Sequence, residues 1–158
     1  MVRVIVESNF EDDRVAVSGL AERVRKESLI RGVAFSHNQF GKCFDVTVEK
    51  PGLHLGLKAH VGGRVVGFCF AVAGECVIGE GANVVTVIAF ATDHSCRSTM
   101  LAGKAAVSLQ EGVKRWAGQV QASLVMFHVT SAANSAGSDR FFWKLDMTTL
   151  RGNYAYVW

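Results

Sequence analysis

An uninterrupted apolar run near the middle of the chain, followed closely by a helical pattern, constrains the fold more than any other feature. Residues 84–91 are apolar apart from one threonine and rich in β-branched side chains, which predicts one buried strand. Beyond a short polar loop, apolar residues share one helix face: Leu101, Ala105, Leu109, Val113 and Trp116. Ser98 or Thr99 can cap this helix, and Gly118 suits its end. The sequence therefore predicts a strand–loop–helix unit over residues 83–118.

The start of this helix is a candidate site for an anion. The first amides of a helix lack intrahelical acceptors, and the helix dipole adds positive charge there, so the loop before it can hold a phosphate group. Ordinary strand–loop–helix units that bind nothing have the same local pattern. The local pattern leaves both interpretations open.

Composition narrows the class of protein. The chain has 158 residues, of which 49% are hydrophobic and 20% charged, so we expect one globular domain over residues 1–158. The net charge of +3 is spread along the chain, which argues against a nucleic-acid partner. No apolar segment approaches the ~20 residues that a membrane span needs. We therefore expect no contact with nucleic acid and no membrane span.

The cysteines and the mean hydropathy suggest the setting of the protein. The four cysteines form no CxxC pair, and no histidine stands at zinc-ligand spacing from them. We therefore expect free thiols, no metal, and a reducing, cytoplasmic location. The mean hydropathy of +0.22 is high for a soluble monomer, which favours a homodimer or a larger assembly.

The remaining segments predict a mixed sheet. We expect a strand at residues 2–7, a helix ending near Ser28, and mainly loop at residues 29–51, with room there for a short helix or strand. Alternating runs on both sides of Gly62-Gly63 predict an antiparallel hairpin. His54, Lys58 and His60 share one face of this hairpin, which meets solvent or lines an acceptor site; we expect solvent. Further elements follow as a strand at residues 122–129, parallel to the apolar strand, a short helix at 140–145 and a final strand at 153–158.

This order of elements resembles the GCN5-related N-acetyltransferase (GNAT) superfamily over nearly the whole chain. Residues 63–68 resemble the family's turn and third strand. Residues 97–102 fall where the family has R-x-x-G-x-G/A, the loop whose amides grip the pyrophosphate of acetyl-CoA. Residues 141–147 are similar to the family's terminal F-Y-x-K-L-G-F. The resemblance implies an α/β (α+β) fold with a mostly antiparallel sheet, one parallel splayed pair and flanking helices.

The resemblance also implies an activity and a set of binding residues. The activity is an acyl-CoA-dependent N-acetyltransferase, with acetyl-CoA as cosubstrate and an amine acceptor that the sequence does not name. The backbone of Phe90, Ala91 and Thr92 would contact the pantetheine arm and the carbonyl oxygen. The other implied cofactor-binding residues are Arg97, Ser98, Thr99, Met100, Leu101, Ala102, Asn134 and Phe142.

The catalytic residues follow the family less closely. Glu80 precedes the apolar strand, and His128 ends the next one, so either is a candidate general base. Phe142 stands where the family has a tyrosine that protonates the departing thiolate, and phenylalanine has no proton to give. Met100 replaces the first glycine of the phosphate loop. These departures keep a second function open, a GNAT-fold protein without catalysis that serves as a binding or structural subunit.

Overall fold

A computed structural model describes residues 3–28, 31–76, 80–96, 99–128 and 140–147. It contains one sheet of five strands in the order β1-β2-β3-β4-β5. The strands are β1 (Ile5–Glu7), β2 (His54–Val61), β3 (Arg64–Glu75), β4 (Asn83–Thr92) and β5 (Ala122–Phe127). The helices are α1 (Arg14–Lys26), α2 (His37–Glu49) and α3 (Met100–Gln119). In these ranges no helix is both long and apolar enough to cross a bilayer.

The sheet is antiparallel from β1 to β4, and β4 and β5 are parallel. The predicted hairpin is confirmed: Gly62 and Gly63 have φ values of 55° and 80°, a left-handed conformation that glycine adopts without steric cost. The predicted parallel pair is confirmed as well, since β4 and β5 are neighbours joined through α3. This arrangement brings the end of β4, the start of α3 and the end of β5 to one edge of the sheet.

Each face of the sheet is covered by helices. Leu57 of β2 contacts the position of Gly112 in α3, whereas a Cβ at the preceding Gly56 would point at Phe10, Phe70 and Thr47 of the other face. The α3 face buries Ala105, Leu109 and Val113 completely, as the predicted helix period requires. A cluster of phenylalanines fills the opposite face, beneath α1 and α2: Phe10, Phe44, Phe68 and Phe70.

The predictions for the first hundred residues were partly wrong. Residues 29–51 are not mainly loop, because α2 occupies 13 of them. Ser36 caps this helix by accepting a hydrogen bond from the Gln39 amide, and Phe44 anchors it in the phenylalanine cluster. Gly41 lies on its open side, where a Cβ would meet no atom. The glycines that suggested a loop therefore lower the stability of this segment by less than the burial of the phenylalanines raises it.

The expectation of a solvent-facing strand surface at His54, Lys58 and His60 is also wrong. The Lys58 side chain is only 7% exposed and makes ion pairs with Asp13 and, at 3.6 Å, with Glu7. The Nε2 atom of His60 lies 3.3 Å from a Glu7 carboxylate oxygen. α1 and α2 cover this face of the sheet, and Asp13, the residue that precedes α1, brings the carboxylate that a buried lysine needs.

Candidate functional site

The centre of the site is a break in the pairing of β4. Ala71 of β3 pairs with Val87, but the next residue back, Phe70, pairs with Ala89, so Ile88 is an extra, bulged residue. Pairing between β4 and β5 ends at the same level, with Val87 opposite Phe127. The bulge lies between β3 and β4, and their pairing resumes beyond it and continues to Thr92. Pairing between β4 and the described part of β5 does not extend beyond Val87.

Aromatic rings lie at the opening of the candidate site, where the pairing of β4 and β5 ends. The Phe90 and Phe127 rings, one from each strand, have centroids 5.5 Å apart. The Phe142 ring lies 5.3 Å from Phe127, so the helical turn at residues 140–147 packs against the end of β5. Phe142 therefore lies beside the last residue of β5 that pairs with β4. These rings give the opening an apolar floor.

The loop that leaves β4 is built around one carboxylate. The Asp93 side chain is 7% exposed, and its Oδ1 atom accepts hydrogen bonds from the Ser95 amide and hydroxyl, each at 3.0 Å. Its Oδ2 atom accepts one from the Arg64 guanidinium at 2.7 Å. The same Arg64 nitrogen also donates to the Ser95 hydroxyl at 2.7 Å. Asp93 thus ties the start of β3 to the loop before α3.

Burial alone would raise the pKa of Asp93, but hydrogen bonds from Arg64 and Ser95 outweigh it, so the pKa lies below its ordinary value. The carboxylate correspondingly raises the pKa of Arg64. Arg23 of α1 adds a second, more distant guanidinium at 3.8 Å from Oδ2. Asp93 is therefore ionised at neutral pH and lies between two cations.

Thr99 forms the end of the loop and the cap of α3, as predicted. Its hydroxyl donates to the Cys96 carbonyl at 2.6 Å and accepts from the Leu101 amide at 3.3 Å. Its own amide donates to the Cys96 carbonyl at 2.9 Å. The amides of Thr99 and Leu101 are therefore already bonded. Of the first four amides at the start of the helix, those of Met100 and Ala102 are the ones that can donate to a ligand. The Met100 side chain is 80% exposed and points away from the core.

The predicted catalytic residues occupy different parts of the sheet. His128 directly follows Phe127, the last paired residue of β5, and is exposed at the opening. Glu80 is exposed in the turn before β4. Pairing between β4 and β5 runs from Asn83 to Val87, four residues or about 13 Å along the strand. Glu80 precedes Asn83 and so lies beyond the other end of this paired stretch. The opening therefore lies close to His128 and further from Glu80.

The predicted binding residues are only partly described. Phe90, Ala91 and Thr92 form the end of β4, and Thr99, Met100, Leu101 and Ala102 form the cap and first turn of α3. Arg97, Ser98 and Asn134 lie outside the described residues. The hydrogen-bonded cluster of Asp93, Arg64 and Ser95 was not predicted, although Asp-x-Ser directly after an apolar strand is a recognisable turn signal.

A mixed five-stranded sheet with β4 and β5 parallel and helices on both faces matches the GNAT fold. The described part of the chain therefore confirms the fold class that the sequence resemblance implied. No family model and no curated protein matches the sequence.

Solved structures of acetyltransferases are similar over almost the whole chain. An acetyltransferase of Trypanosoma brucei has a TM-score of 0.72 at 13% identity, over 98% of this chain and 99% of its own. The aminoglycoside N-acetyltransferase AAC(6')-Iy, solved in complex with CoA, has a TM-score of 0.74 at 14% identity, over 99% and 95%. A ribosomal-protein-alanine N-acetyltransferase from Brucella melitensis has 0.69 at 13%, over 97% of both chains. At these identities the likeness establishes the fold.

Proposed function

We propose that this protein is an acyl-CoA-dependent N-acetyltransferase that uses acetyl-CoA to acetylate an amine. The observation that carries the proposal is that the parallel pairing of β4 and β5 ends at Val87 and Phe127, and that β4 then leads through a short loop to the capped N-terminus of α3. The aminoglycoside N-acetyltransferase AAC(6')-Iy, whose structure was solved in complex with CoA, has the same fold. A thioester cosubstrate needs both features, an anion site for its pyrophosphate and a groove for its arm.

The first turn of α3 would hold the pyrophosphate through the amides of Met100 and Ala102, together with Arg97 and Ser98. The backbone of Phe90, Ala91 and Thr92, which follow the last residue of β4 paired with β5, would bond the pantetheine arm. Asn134 and Phe142 complete the proposed binding set. Acetyl-CoA supplies the acyl group, and the chain orients its carbonyl toward the amine.

The reaction needs a neutral amine and an acceptor for its proton. We propose His128 as the general base, since it directly follows the last residue of β5 that pairs with β4. Glu80 stays a prediction, and its place in the turn before β4 gives it less support. The Phe142 ring has no proton for the leaving thiolate, so that proton would come from water.

An assay of thiol release from acetyl-CoA, with a panel of small amines and peptide amines, tests the proposal. We expect amine-dependent release that falls at least tenfold in His128→Ala, since acid–base help contributes about 10²–10⁴-fold. Lys144→Ala, an exposed residue of the helical turn at residues 140–147, is the control and should keep the wild-type rate. Binding of acetyl-CoA without turnover on any amine would contradict catalysis.

The second candidate function is a GNAT-fold subunit that binds acetyl-CoA or a partner but no longer catalyses. Phe142, in the place of the general acid, is the observation that favours it. The same assay separates the two functions, because such a subunit releases no thiol above the rate of a buffer blank. A substrate panel that includes protein amines is needed, since the fold does not name the acceptor.

A further inference from the structure

Asp93 has contacts with three separate elements: the loop before α3, the start of β3 and α1. Its carboxylate is bonded to Ser95 in the loop and to Arg64 at the start of β3, and it lies 3.8 Å from Arg23 of α1. Its amide donates to the Val66 carbonyl at 2.8 Å, so its backbone is held as well. A buried carboxylate with this many partners has one orientation.

The loop after Asp93 depends on that orientation. The Cys96 amide donates to the Asp93 carbonyl at 3.0 Å, and the Cys96 carbonyl accepts two bonds from Thr99. Thr99 in turn caps α3. A continuous set of hydrogen bonds therefore leads from the carboxylate, through Ser95 and Cys96, to the first turn of the helix.

We propose that Asp93 is a positioning residue that fixes the phosphate-binding start of α3 against β3. It touches no substrate: it acts through Ser95 and Cys96 on the placement of Thr99 and of the amides that follow. The inference rests on the proposed function, because it assigns Asp93 to the binding of acetyl-CoA. It adds a residue that neither the sequence analysis nor the fold likeness assigns.

The substitution Asp93→Asn tests the role with little change in volume. The amide oxygen can still accept from Ser95, but the amide nitrogen would face the Arg64 guanidinium, two donors with no acceptor between them. Arg64→Met is the second variant; it removes the same bond from a side chain that is 62% exposed, so it leaves no cavity in the core. Both variants should release the loop from β3.

Asp13→Asn is the matched control. It makes the same substitution in another carboxylate paired with a cation, here Lys58, at the opposite end of α1. If Asp93 only stabilises the fold and does not position the loop, Asp13→Asn and Asp93→Asn should have the same effects on acetyl-CoA affinity and loop exchange. Acetyl-CoA affinity and loop exchange separate the two roles, because only a positioning residue for this loop changes both.

The experiment measures calorimetric acetyl-CoA affinity and amide hydrogen exchange of a peptide covering residues 93–101, at a temperature where every variant is folded. We expect Asp93→Asn and Arg64→Met to weaken affinity at least tenfold and to speed exchange at least tenfold, and Asp13→Asn to change neither. If Asp93→Asn keeps the wild-type affinity or the wild-type exchange rate, the inference is wrong but the proposed function still stands. Failure of the wild-type protein to bind acetyl-CoA would overturn the proposed function, and the inference with it.

Discussion

At the scale of single residues, Asp93 shows what the sequence alone does not reveal. Its burial depends on Arg64, which lies 29 positions earlier, so no local pattern could predict the ion pair. The same holds for Lys58. Its alternation with leucines predicted a solvent-exposed face, but Asp13, 45 positions earlier, forms an ion pair with it. Local patterns predict which residues share a face, but not what covers that face.

The pH dependence of folding follows from the lowered pKa of Asp93. A carboxyl whose pKa falls on folding stabilises the protein above its ordinary value, here 3.8, and loses that contribution as pH falls through the folded pKa. We therefore expect Asp93→Asn to lower the free energy of unfolding by about 1–3 kcal/mol at pH 7, and by progressively less as the pH falls below 3.8, with pH 3 as the second condition. Urea unfolding of both proteins at the two pH values measures this. An equal difference at both would show that the charge of Asp93 contributes nothing.

Phe142→Tyr tests the missing general acid. The ring already lies beside Phe127 at the opening, so an added hydroxyl should reach the leaving thiolate. We expect faster thiol release, up to the ~10²–10⁴-fold that acid–base help contributes. Phe141→Tyr, on the adjacent ring 5.2 Å away, is the control. Slower turnover in Phe142→Tyr would mean that another group already donates the proton.

At the scale of secondary structure elements, periodic segments were predicted and irregular ones were not. α3 was predicted because its fully buried residues recur with the helix period. The bulge at Ile88 was not, because residues 84–91 are apolar almost throughout and have no alternation for a bulge to interrupt. The bulge is therefore a feature that the sequence hides.

Gly67 couples β3 to the end of β4. A Cβ there would lie 3.0 Å from the Ala91 carbonyl oxygen and 3.1 Å from the Leu109 side chain. We expect Gly67→Ala to destabilise the protein by about 1–3 kcal/mol through overpacking. Gly74→Ala on the same strand meets no atom within 4 Å and is the control. Thermal unfolding compares them, and equal melting temperatures would contradict the close contact.

At the scale of the whole molecule, several large apolar side chains face outward in the described residues. Val15 is 87% exposed, Met100 80% and Val48 74%. They lie on three different helices, so the prediction of a homodimer or a larger assembly still rests on the mean hydropathy of +0.22. Sedimentation velocity over a range of concentrations measures this. A single monomeric species throughout would contradict self-association.

The most direct test of the central claim is a calorimetric titration with acetyl-CoA of the wild type, Arg97→Glu and Arg115→Glu. Both variants reverse one charge, but Arg115 lies near the far end of α3. If the start of α3 binds the pyrophosphate, the wild type and Arg115→Glu bind alike. Arg97→Glu then loses about 2 kcal/mol or more of binding free energy, since charge-assisted bonds contribute about 1.5–3. No binding by the wild type, or equal binding by all three proteins, would contradict the account.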